Sequence, residues 1–329
     1  MSSWADKTPP AAPEPPNDEE ARILAQDGVR THVDVVERCD AQLMQLLGCS
    51  PARVKRLRAA AAQRLAPTSA RALLATAERH VASGCGPLDR ALGGGARRGS
   101  LTEFVGRAGA GKTQCCFALA AACAAAGHAV VYVDTESTFR GKRLWQIAEA
   151  RGAAGTATDL LRRVHVLRPG SAAELLAVLE RGDVLQRAAE SGARLCVLDS
   201  VAAIARGDFA GRADLIDRQK WLARAAAALK RVAVEADVSV VVSNHVMADF
   251  KADGASAEDA VTPALGLTWH HAVTTRVLLD AAPPRAGVER RARTASVVKS
   301  PAVAPAPFAY AVGAAGVVGA DEGDGGDGS

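Results

Sequence analysis

The chain has 329 residues, of which 49% are hydrophobic and 23% are charged, and its formal net charge at pH 7 is +4. At roughly 150 residues per domain, this length predicts about two domains. The composition excludes a collagen, a disordered chain and a disulfide-stapled mini-protein. Aromatic residues make up only 4% of the chain, so we expect alanine, valine and leucine to fill the core.

The net charge is small, but the charged residues are distributed unevenly along the chain. Residues 1–20 and residues 321–329 each carry a net charge of −4, so the body between them carries +12. A basic body with acidic ends favours a polyanionic partner, although charge alone fits a solvated basic surface equally well. The seven cysteines lack zinc-type spacing and lie mostly in apolar runs, which is typical of a reducing compartment.

The amino-acid pattern divides the chain into five segments. Residues 1–20, rich in proline and acidic residues, and residues 319–329, rich in glycine and aspartate, are predicted to be disordered tails because they have too little apolar surface to fold. Leucine and valine recur at helical spacing in residues 21–66, which predicts a small helical, helix-hairpin-helix-like domain. Residues 67–83 are predicted to be a linker, and residues 84–318 a larger domain.

The last helix of that predicted small domain is basic. Ser50 is a candidate N-cap before Pro51, which takes the first helical position. The basic residues that follow are Arg53, Lys55, Arg56, Arg58 and Arg64. Such a helix could contact a nucleic-acid backbone, and a solvated face on a structural bundle explains the same pattern equally well.

In the larger domain, apolar runs alternate with helical patterns, which is typical of a parallel sheet covered by helices. The predicted strands are Leu101–Val105, Ala129–Asp134, Arg163–Leu167, Leu195–Asp199, Val238–Ser243 and Thr275–Asp280, with an edge hairpin over residues 290–313. The predicted helices are Thr113–Ala126, Gly141–Arg151, Ala172–Glu190 and Asp214–Glu235. Gly127 and His128 interrupt the longest uncharged run, so it predicts helix, turn and strand rather than a membrane span, and we expect no membrane partner.

A glycine-rich loop carries the clearest chemical signal. Gly106-Arg107-Ala108-Gly109-Ala110-Gly111-Lys112-Thr113 matches GxxxxGK[ST] between a predicted strand and a predicted helix. Glycine lets backbone N–H groups curl around a triphosphate, and the helix directs the positive end of its dipole at the same phosphates. We expect Lys112 to reach the terminal phosphates as a catalytic residue and the Thr113 hydroxyl to bind Mg²⁺. The predicted nucleotide-binding segment is Gly106–Gln114.

Two acidic residues complete the predicted site. Leu195-Cys196-Val197-Leu198-Asp199 places Asp199 at the carboxyl end of a strand, the edge where open parallel sheets bind ligands. Asp199 is expected to hold Mg²⁺ through water, and Glu136 at the same edge to orient the attacking water as the catalytic base. Asp134 and Glu136 flank Thr135, so their carboxylates share one side if the chain stays extended. A carboxylate near a helix N-terminus is the alternative interpretation of Glu136.

These motifs together resemble the RecA-type recombinases, in their eukaryotic branch. The resemblance covers about residues 84–315 and, more loosely, residues 21–66. It rests on the phosphate loop, Asp134-Thr135-Glu136-Ser137-Thr138-Phe139-Arg140, Asp199-Ser200-Val201-Ala202, and Gly211-Arg212-Ala213-Asp214-Leu215 with Arg218-Gln219. Near the C-terminus, Gly266-Leu267-Thr268-Trp269-His270-His271, Thr275-Arg276 and Lys299-Ser300-Pro301 are similar to the B-type paralogues of that family's strand-exchange protein.

The resemblance implies an α/β fold: a RecA-like P-loop NTPase core with a mostly parallel central sheet, preceded by the small helical domain. It implies an ATP-dependent DNA-binding protein of homologous recombination and double-strand break repair, with Mg²⁺ and slow, DNA-dependent ATP hydrolysis. Such a paralogue assists filament assembly in the nucleus. The implied partners are single-stranded or branched DNA, other recombinase paralogues, with the C-type favoured, and the strand-exchange recombinase.

The same resemblance places candidate DNA-binding residues in two loops. Arg206, Arg212 and Arg218 belong to the first loop, and Lys251 belongs to the second. Four acidic residues surround Lys251, so a loop that contacts neither DNA nor partner is the alternative there. The linker lacks the family's Phe-x-x-Ala polymerisation plug, and this predicts short hetero-assemblies rather than long self-filaments.

Three residues are candidates for coupling the nucleotide to its surroundings. His245 stands where the family usually has glutamine, and its charge can vary near neutral pH. His271 matches a family histidine near the subunit interface. Lys299 stands where strand-exchange relatives often have aspartate, and it could reach a neighbour's nucleotide as a fixed cation. A hydrogen-bonded strand-end histidine and a surface lysine are the structural alternatives.

Other functions remain open at the level of sequence. A nucleotide-binding scaffold without turnover would keep the same phosphate loop. A P-loop kinase for a small substrate is disfavoured by the Glu136 motif and by the lack of an arginine-rich lid. A self-sufficient strand-exchange recombinase is disfavoured by the missing phenylalanine plug.

Overall fold

The computed structural model describes residues 14–29, 32–63, 69–71, 79–153, 157–180, 183–209, 211, 213–248, 261–263, 265–281 and 292–320. The chain divides into two compact units, residues 1–77 and residues 78–329. None of the helices in the described ranges combines the length and apolar character that crossing a lipid bilayer requires. Most of both predicted tails and most of the predicted linker lie outside these ranges.

The first unit is helical over its described residues. Its helices are α1 (Asp18–Gln26), α2 (His32–Glu37), α3 (Asp40–Leu47) and α4 (Pro51–Gln63). Helix α1 begins inside the segment predicted as a tail, because Asn17 and Glu20 form a capping box that satisfies the first backbone donors. Ser50 is confirmed as a cap, since its hydroxyl oxygen accepts a hydrogen bond from the Arg53 N–H at 3.3 Å.

The arginines of α4 form ion pairs with carboxylates of the same unit. The pairs are Arg53 with Glu14 and Glu20, Arg56 with Glu14, and Arg58 with Asp40. A hydrogen bond from Arg53 lowers the pKa of Glu20, as expected for a carboxylate held by a guanidinium. Because three of the five basic residues have carboxylate partners here, the arrangement favours the structural interpretation of this helix over a face committed to nucleic acid.

The second unit alternates strands and helices. In chain order its elements are β1 (His80–Val81), α5 (Gly86–Ala91), β2 (Ala96–Arg97), β3 (Leu101–Gly106), α6 (Lys112–Ala125), β4 (Ala129–Asp134), α7 (Gly141–Ala148), a π-helical turn (Glu149–Ala153), α8 (Ala157–Arg162), β5 (Val164–Leu167), α9 (Ala172–Glu180), α10 (Asp183–Ser191), β6 (Ala193–Asp199), α11 (Val201–Gly207), α12 (Leu215–Glu235), β7 (Ser239–Ala248), β8 (Val261–Pro263), α13 (Gly266–Ala272), β9 (Thr275–Ala281), β10 (Ala292–Lys299), β11 (Pro307–Gly313) and β12 (Gly316–Gly319).

Strands β1 and β2 form a small antiparallel sheet, and the other described strands form one large, mixed sheet. Its order is β12-β11-β10-β9-β3-β7-β6-β4-β5, and β8 pairs with β7 outside this path. In this spatial order, β9, β3, β7, β6, β4 and β5 each run parallel to the next strand. The pairs β12 with β11, β11 with β10, and β10 with β9 are antiparallel. This α/β architecture confirms the predicted fold class. It also places the carboxyl ends of β3, β4, β6 and β7 at one edge, where open parallel sheets bind ligands.

Both faces of the sheet are covered by apolar side chains. In β4, Val130 and Tyr132 pack into one core, and Val131 and Val133 pack into the core on the opposite face. All six residues of β4 are buried, which is typical of a parallel strand with helices on each side. The small side chains of α6, nine of which are alanine or cysteine, let this helix pack closely under the loop at its start.

In the second unit, the clearest differences from the sequence-based expectation concern three elements. The predicted helix Ala172–Glu190 is divided into α9 and α10, with residues 181–182 between them outside the described ranges. Helix α7 ends at Ala148 and continues as a π-helical turn in which Gly152 has φ +85°. The predicted edge hairpin gains a third strand, β12, because Gly316 with φ +84° allows the chain to turn back.

Candidate nucleotide-binding site

The phosphate loop lies between β3 and α6 and depends on two of its glycines. Gly106 ends β3 between His245 of β7 and Leu279 of β9, and a Cβ atom here would overlap the Leu279 carbonyl oxygen. Gly111 precedes α6 with φ +100°, a conformation that favours glycine. The backbone geometry therefore requires glycine at the start of the loop and at the start of the helix.

Lys112 is folded back into the loop. Its side chain is largely buried, and its Nζ donates hydrogen bonds to the carbonyl oxygens of Gly106 and Arg107, both at 2.9 Å. Burial lowers the pKa of Lys112, while the nearby carboxylates of Asp199 and Glu136 act in the opposite direction. An ammonium group held by two carbonyls can exchange them for phosphate oxygens, which are stronger acceptors because they are charged.

Asp199 ends β6 and is oriented by two hydroxyl groups. The Tyr132 hydroxyl donates to Oδ2 at 2.9 Å, and the Ser243 hydroxyl donates to Oδ1. Asp199 is 3% exposed, so its carboxylate has a fixed direction. Together with the Thr113 hydroxyl at the first turn of α6, it offers the hard oxygen ligands that Mg²⁺ prefers.

Glu136 follows β4 and is bound by Ser200, which follows β6, and by His245 of β7. Its Oε1 accepts a hydrogen bond from the Ser200 hydroxyl and lies 3.5 Å from Nε2 of His245. These contacts, with the hydrogen bond to His245 as the largest cause, lower the pKa of Glu136 to about 2. Glu136 is therefore an anion at neutral pH and faces the phosphate loop.

The chain does not stay extended after Asp134, so the condition under which Asp134 and Glu136 would share one side is not met. The extended conformation stops at Asp134, and Ser137 has φ +54° in the turn that follows. The Asp134 carboxylate instead accepts hydrogen bonds from the backbone N–H groups of Thr138 and Phe139 at 3.0 and 3.1 Å. Asp134 fixes the turn, and this leaves Glu136 as the acid that reaches the site.

One cavity of about 320 Å³ is lined by most of the predicted phosphate-handling residues, although Gly106, Arg107 and Ala110 are not among them, and its volume is typical of a ligand pocket. It is lined by Ala108, Gly109, Gly111, Lys112, Thr113, Gln114, Glu136, Asp199, His245, Arg293 and Val312. The structure thus brings together regions that lie apart in sequence: the phosphate loop, the Glu136 turn, the end of β6, His245 of β7, Arg293 of β10 and Val312 of β11.

Some residues of the site could not be found from the sequence. Ser200, Ser243 and Tyr132 orient the two acids, and Arg293 and Tyr310 come from the antiparallel strands that fold against the loop. The Tyr310 hydroxyl donates to the Ala110 carbonyl, and Arg293 Nη2 donates to the Gly109 carbonyl at 3.5 Å. These contacts span about 200 positions in the chain, and no local pattern signals them.

The remaining candidates lie outside the cavity lining. Lys299 of β10 donates to the His270 carbonyl oxygen at 2.7 Å, and burial lowers the pKa of Lys299. His271 is exposed on α13. Arg206 is exposed in the last turn of α11, and Arg218 is half-buried in α12. Arg212 and Lys251 lie outside the described residues.

Comparisons with known proteins agree with this geometry. The family model named Rad51 matches residues 77–320, which include every residue of the cavity. The chain belongs to the Rad51 family. The resemblance to RecA-type recombinases of the eukaryotic branch is thereby confirmed.

Curated relatives of the Rad51 family match most of the chain. "DNA repair protein RAD51" of Mycosarcoma maydis is 33% identical over 311 residues, which cover 91% of this chain and 88% of the relative. "DNA repair protein RAD51 homolog 1" of Arabidopsis thaliana is 34% identical over the same length, covering 91% and 87%. "DNA repair protein RAD51 homolog 2" of Homo sapiens is 33% identical over 262 residues, covering 70% of this chain and 66% of the relative.

Proposed function

We propose that this protein is an ATP-dependent DNA-binding protein of homologous recombination and double-strand break repair. The observation that carries the proposal is the single cavity in which Lys112, Thr113, Asp199 and Glu136 surround a phosphate loop. The relatives named as DNA repair proteins support the biological setting.

Each residue has a chemical role in the proposed hydrolysis. Lys112 leaves the two loop carbonyls and binds the terminal phosphates. Thr113 and Asp199 would hold Mg²⁺, which would supply positive charge next to the phosphates. Glu136 orients a water molecule and accepts its proton while the water oxygen bonds to the γ-phosphorus and the bond to ADP breaks. Backbone N–H groups of Gly106–Gln114 stabilise the charge on the phosphates.

We propose further that the protein is a recombinase paralogue that assists filament assembly in the nucleus. Its proposed partners are other paralogues, with the C-type favoured, and the strand-exchange recombinase. A role for His271 and Lys299 at a neighbouring subunit is part of this proposal and rests on the resemblance to the family. Turnover is slow in this proposal because the complete site includes groups from that neighbour.

We propose that Arg206 and Arg218 bind DNA, with Arg212 and Lys251 as further candidates from the sequence. Arginine and lysine side chains that neutralise phosphates release counterions, so the affinity for single-stranded DNA is expected to fall steeply as the salt concentration rises. Fluorescence anisotropy of a labelled oligonucleotide at several salt concentrations measures this dependence. The Arg206→Ala variant should weaken binding and reduce the steepness of the salt dependence.

One observation favours the alternative of a nucleotide-binding scaffold. The contacts of Glu136 lower its pKa to about 2, and a carboxylate that is so weak a base accepts the proton of the attacking water poorly, as expected of a protein that binds ATP with little turnover. The deciding experiment measures ATP hydrolysis by the full chain with and without single-stranded DNA, and compares it with hydrolysis by the Lys112→Ala variant under the same conditions. DNA-stimulated hydrolysis that the variant lacks supports the ATPase. Tight ATP binding with no turnover, alone or with partner proteins, supports the scaffold, and failure to bind ATP contradicts both.

A further inference from the structure

A tyrosine from the antiparallel part of the sheet contacts the phosphate loop on its buried side. The Tyr310 hydroxyl donates a hydrogen bond to the carbonyl oxygen of Ala110, in the second half of the loop. Tyr310 lies in β11, is fully buried and is not part of the cavity lining. Its ring also lies beside Gly111, where an added Cβ atom would stand 3.6 Å from Cε2. The tyrosine therefore supports the loop from behind, without access to the cavity.

This hydrogen bond sets the direction of one peptide group. In a planar trans peptide, the carbonyl oxygen of one residue and the N–H of the next point in opposite directions. Ala110 is 1% exposed and lies outside the cavity lining, whereas Gly109 and Gly111 on either side of it belong to the lining. Because the Ala110 carbonyl points to the buried tyrosine, the Gly111 N–H points away from it, to the cavity side of the loop.

We propose that Tyr310 is a positioning residue, which keeps the Gly111 N–H directed at the phosphates of a bound nucleotide. The inference rests on the nucleotide binding proposed above. Tyr310 acts through the backbone of the loop and does not itself touch the nucleotide.

The loop needs such support because its glycines allow the peptide to rotate. Gly109 and Gly111 have φ of +79° and +100°, and glycine adopts positive and negative φ about equally well. Half a turn of the peptide between Ala110 and Gly111 would replace the N–H donor by a carbonyl oxygen, which repels a phosphate. The hydrogen bond opposes this rotation, because the rotated peptide leaves a buried hydroxyl without its acceptor. Burial raises the pKa of Tyr310, so the hydroxyl remains a neutral donor at physiological pH.

The position of Tyr310 is itself fixed by the surrounding structure. Strand β11 is paired on both sides, with β10 and with β12. The turn between β11 and β12 is bound by two arginines from the helices above it. Arg143 of α7 donates to the Gly313 carbonyl oxygen at 2.6 Å. Arg151 of the π-helical turn donates to the Ala315 carbonyl oxygen at 2.8 Å. The tyrosine is thus held in place before a nucleotide binds, as an effective positioning group must be.

Removing only the hydroxyl group tests this role. Tyr310→Phe keeps the ring and should weaken the binding of ATP with Mg²⁺ about two- to tenfold, the range for one hydrogen bond. The matched control is Ser239→Ala, which also removes a buried hydroxyl that donates to a backbone carbonyl, that of Ala96 at 2.6 Å. Ser239 begins β7 at the opposite edge of the sheet, so this control should bind ATP as the wild type does.

Calorimetric titration of the folded proteins measures these affinities, and urea denaturation confirms that each variant is folded under the same conditions. An ATP affinity of Tyr310→Phe equal to that of the wild type overturns the proposal. An equal loss of affinity in Tyr310→Phe and Ser239→Ala also overturns it, because the loss then follows from reduced stability alone.

The direction of the peptide is tested by nuclear magnetic resonance on isotope-labelled protein. In the free wild type, the Gly111 amide should give one sharp signal, which shifts when ADP and Mg²⁺ bind because the N–H then donates to a charged oxygen. In Tyr310→Phe, rotation of the peptide should broaden or split this signal in the free protein. A broadened or split signal in the free wild type overturns the proposal even where the variant fails to fold, and an unaltered signal in the variant overturns it as well.

This inference and the proposed function fail in different ways. If the wild type does not bind ATP, the proposed nucleotide-binding function is wrong. If the wild type binds ATP and Tyr310→Phe binds it equally well, only the role of Tyr310 is rejected. If the wild type binds ATP without hydrolysing it, the proposed hydrolysis is rejected, and the affinities still decide the role of Tyr310.

Discussion

Nε of Arg276 donates a hydrogen bond to Oε2 of Glu103, and both side chains are almost completely buried. The pair joins β9 to β3 three positions before the phosphate loop begins at Gly106. The other carboxylate oxygen of Glu103 accepts hydrogen bonds from Asn244 at 2.8 Å and from the Trp269 indole at 2.7 Å. One buried carboxylate therefore ties together β3, β7, β9 and α13 beneath the loop.

Replacing Arg276 by methionine leaves this carboxylate buried without its cation. We expect Arg276→Met to lower the free energy of unfolding by about 3–5 kcal/mol, because an unpaired buried charge is strongly destabilising. Urea denaturation at pH 7 measures the change. Arg224→Met, which breaks an exposed pair with Glu180, is the control and should change stability little. Equal changes of the unfolding free energy in the two variants would show that the buried network stabilises the fold no more than an exposed ion pair does.

Adding one methyl group at Gly106 tests the close approach of β9 to the loop. Gly106→Ala should lower the free energy of unfolding by about 1–3 kcal/mol, because its Cβ overlaps the Leu279 carbonyl oxygen and the backbone must shift. The Gly141→Ala control places its Cβ in open space and should be neutral or slightly stabilising. A chemical denaturation series that ranks the two variants alike would contradict the packing described here.

Removing the ammonium group of Lys112 tests nucleotide binding. Lys112→Ala should weaken ATP binding about 10- to 150-fold, the range for a hydrogen bond to a charged group. Calorimetric titration with ATP and Mg²⁺ gives the affinity. The exposed Lys220, which pairs with Asp217 at 3.2 Å, supplies the control Lys220→Ala, whose affinity should equal that of the wild type. Unchanged ATP affinity in Lys112→Ala would contradict the site.

Neutralising Glu136 separates binding from hydrolysis. Glu136→Gln should lower kcat about 10²–10⁴-fold while ATP binding remains, because the amide cannot accept the proton of the attacking water. Glu149→Gln changes an exposed carboxylate elsewhere and should retain full activity. Phosphate release measured beside calorimetric binding distinguishes the two effects. Hydrolysis that persists in Glu136→Gln would assign the base to another group.

The lowered pKa of Glu136 predicts a pH dependence of stability. The pKa falls from its ordinary 4.5 to about 2 in the folded protein, so the ionised form stabilises the fold above about pH 4.5, and this contribution disappears as the pH falls toward 2. The Tm difference between the wild type and Glu136→Gln should therefore shrink between pH 5 and pH 3. Thermal unfolding across this range measures it, and a constant difference would contradict the contacts of Glu136.

Local sequence accounts for much of the nucleotide site. GxxxxGK[ST] needs only a preceding strand and a following helix, so its position at the sheet edge follows from the chain itself. The apolar run that ends in Asp199 predicts a buried parallel strand for the same reason. The prediction that Asp134 lies on the same side as Glu136 shows the limit of such reasoning, because it required an extended backbone and the turn at Ser137 interrupts it.

The sequence by itself determined the alternation of strands and helices, the phosphate loop and its two acids, because each of these follows from residues close together in the chain. Only the tertiary structure decided the partners of those residues. His245 meets Glu136 across 109 positions, and Arg293 reaches the loop across 184. Such contacts depend on strand order and register, which hydrogen bonds between distant segments establish and which no local pattern encodes.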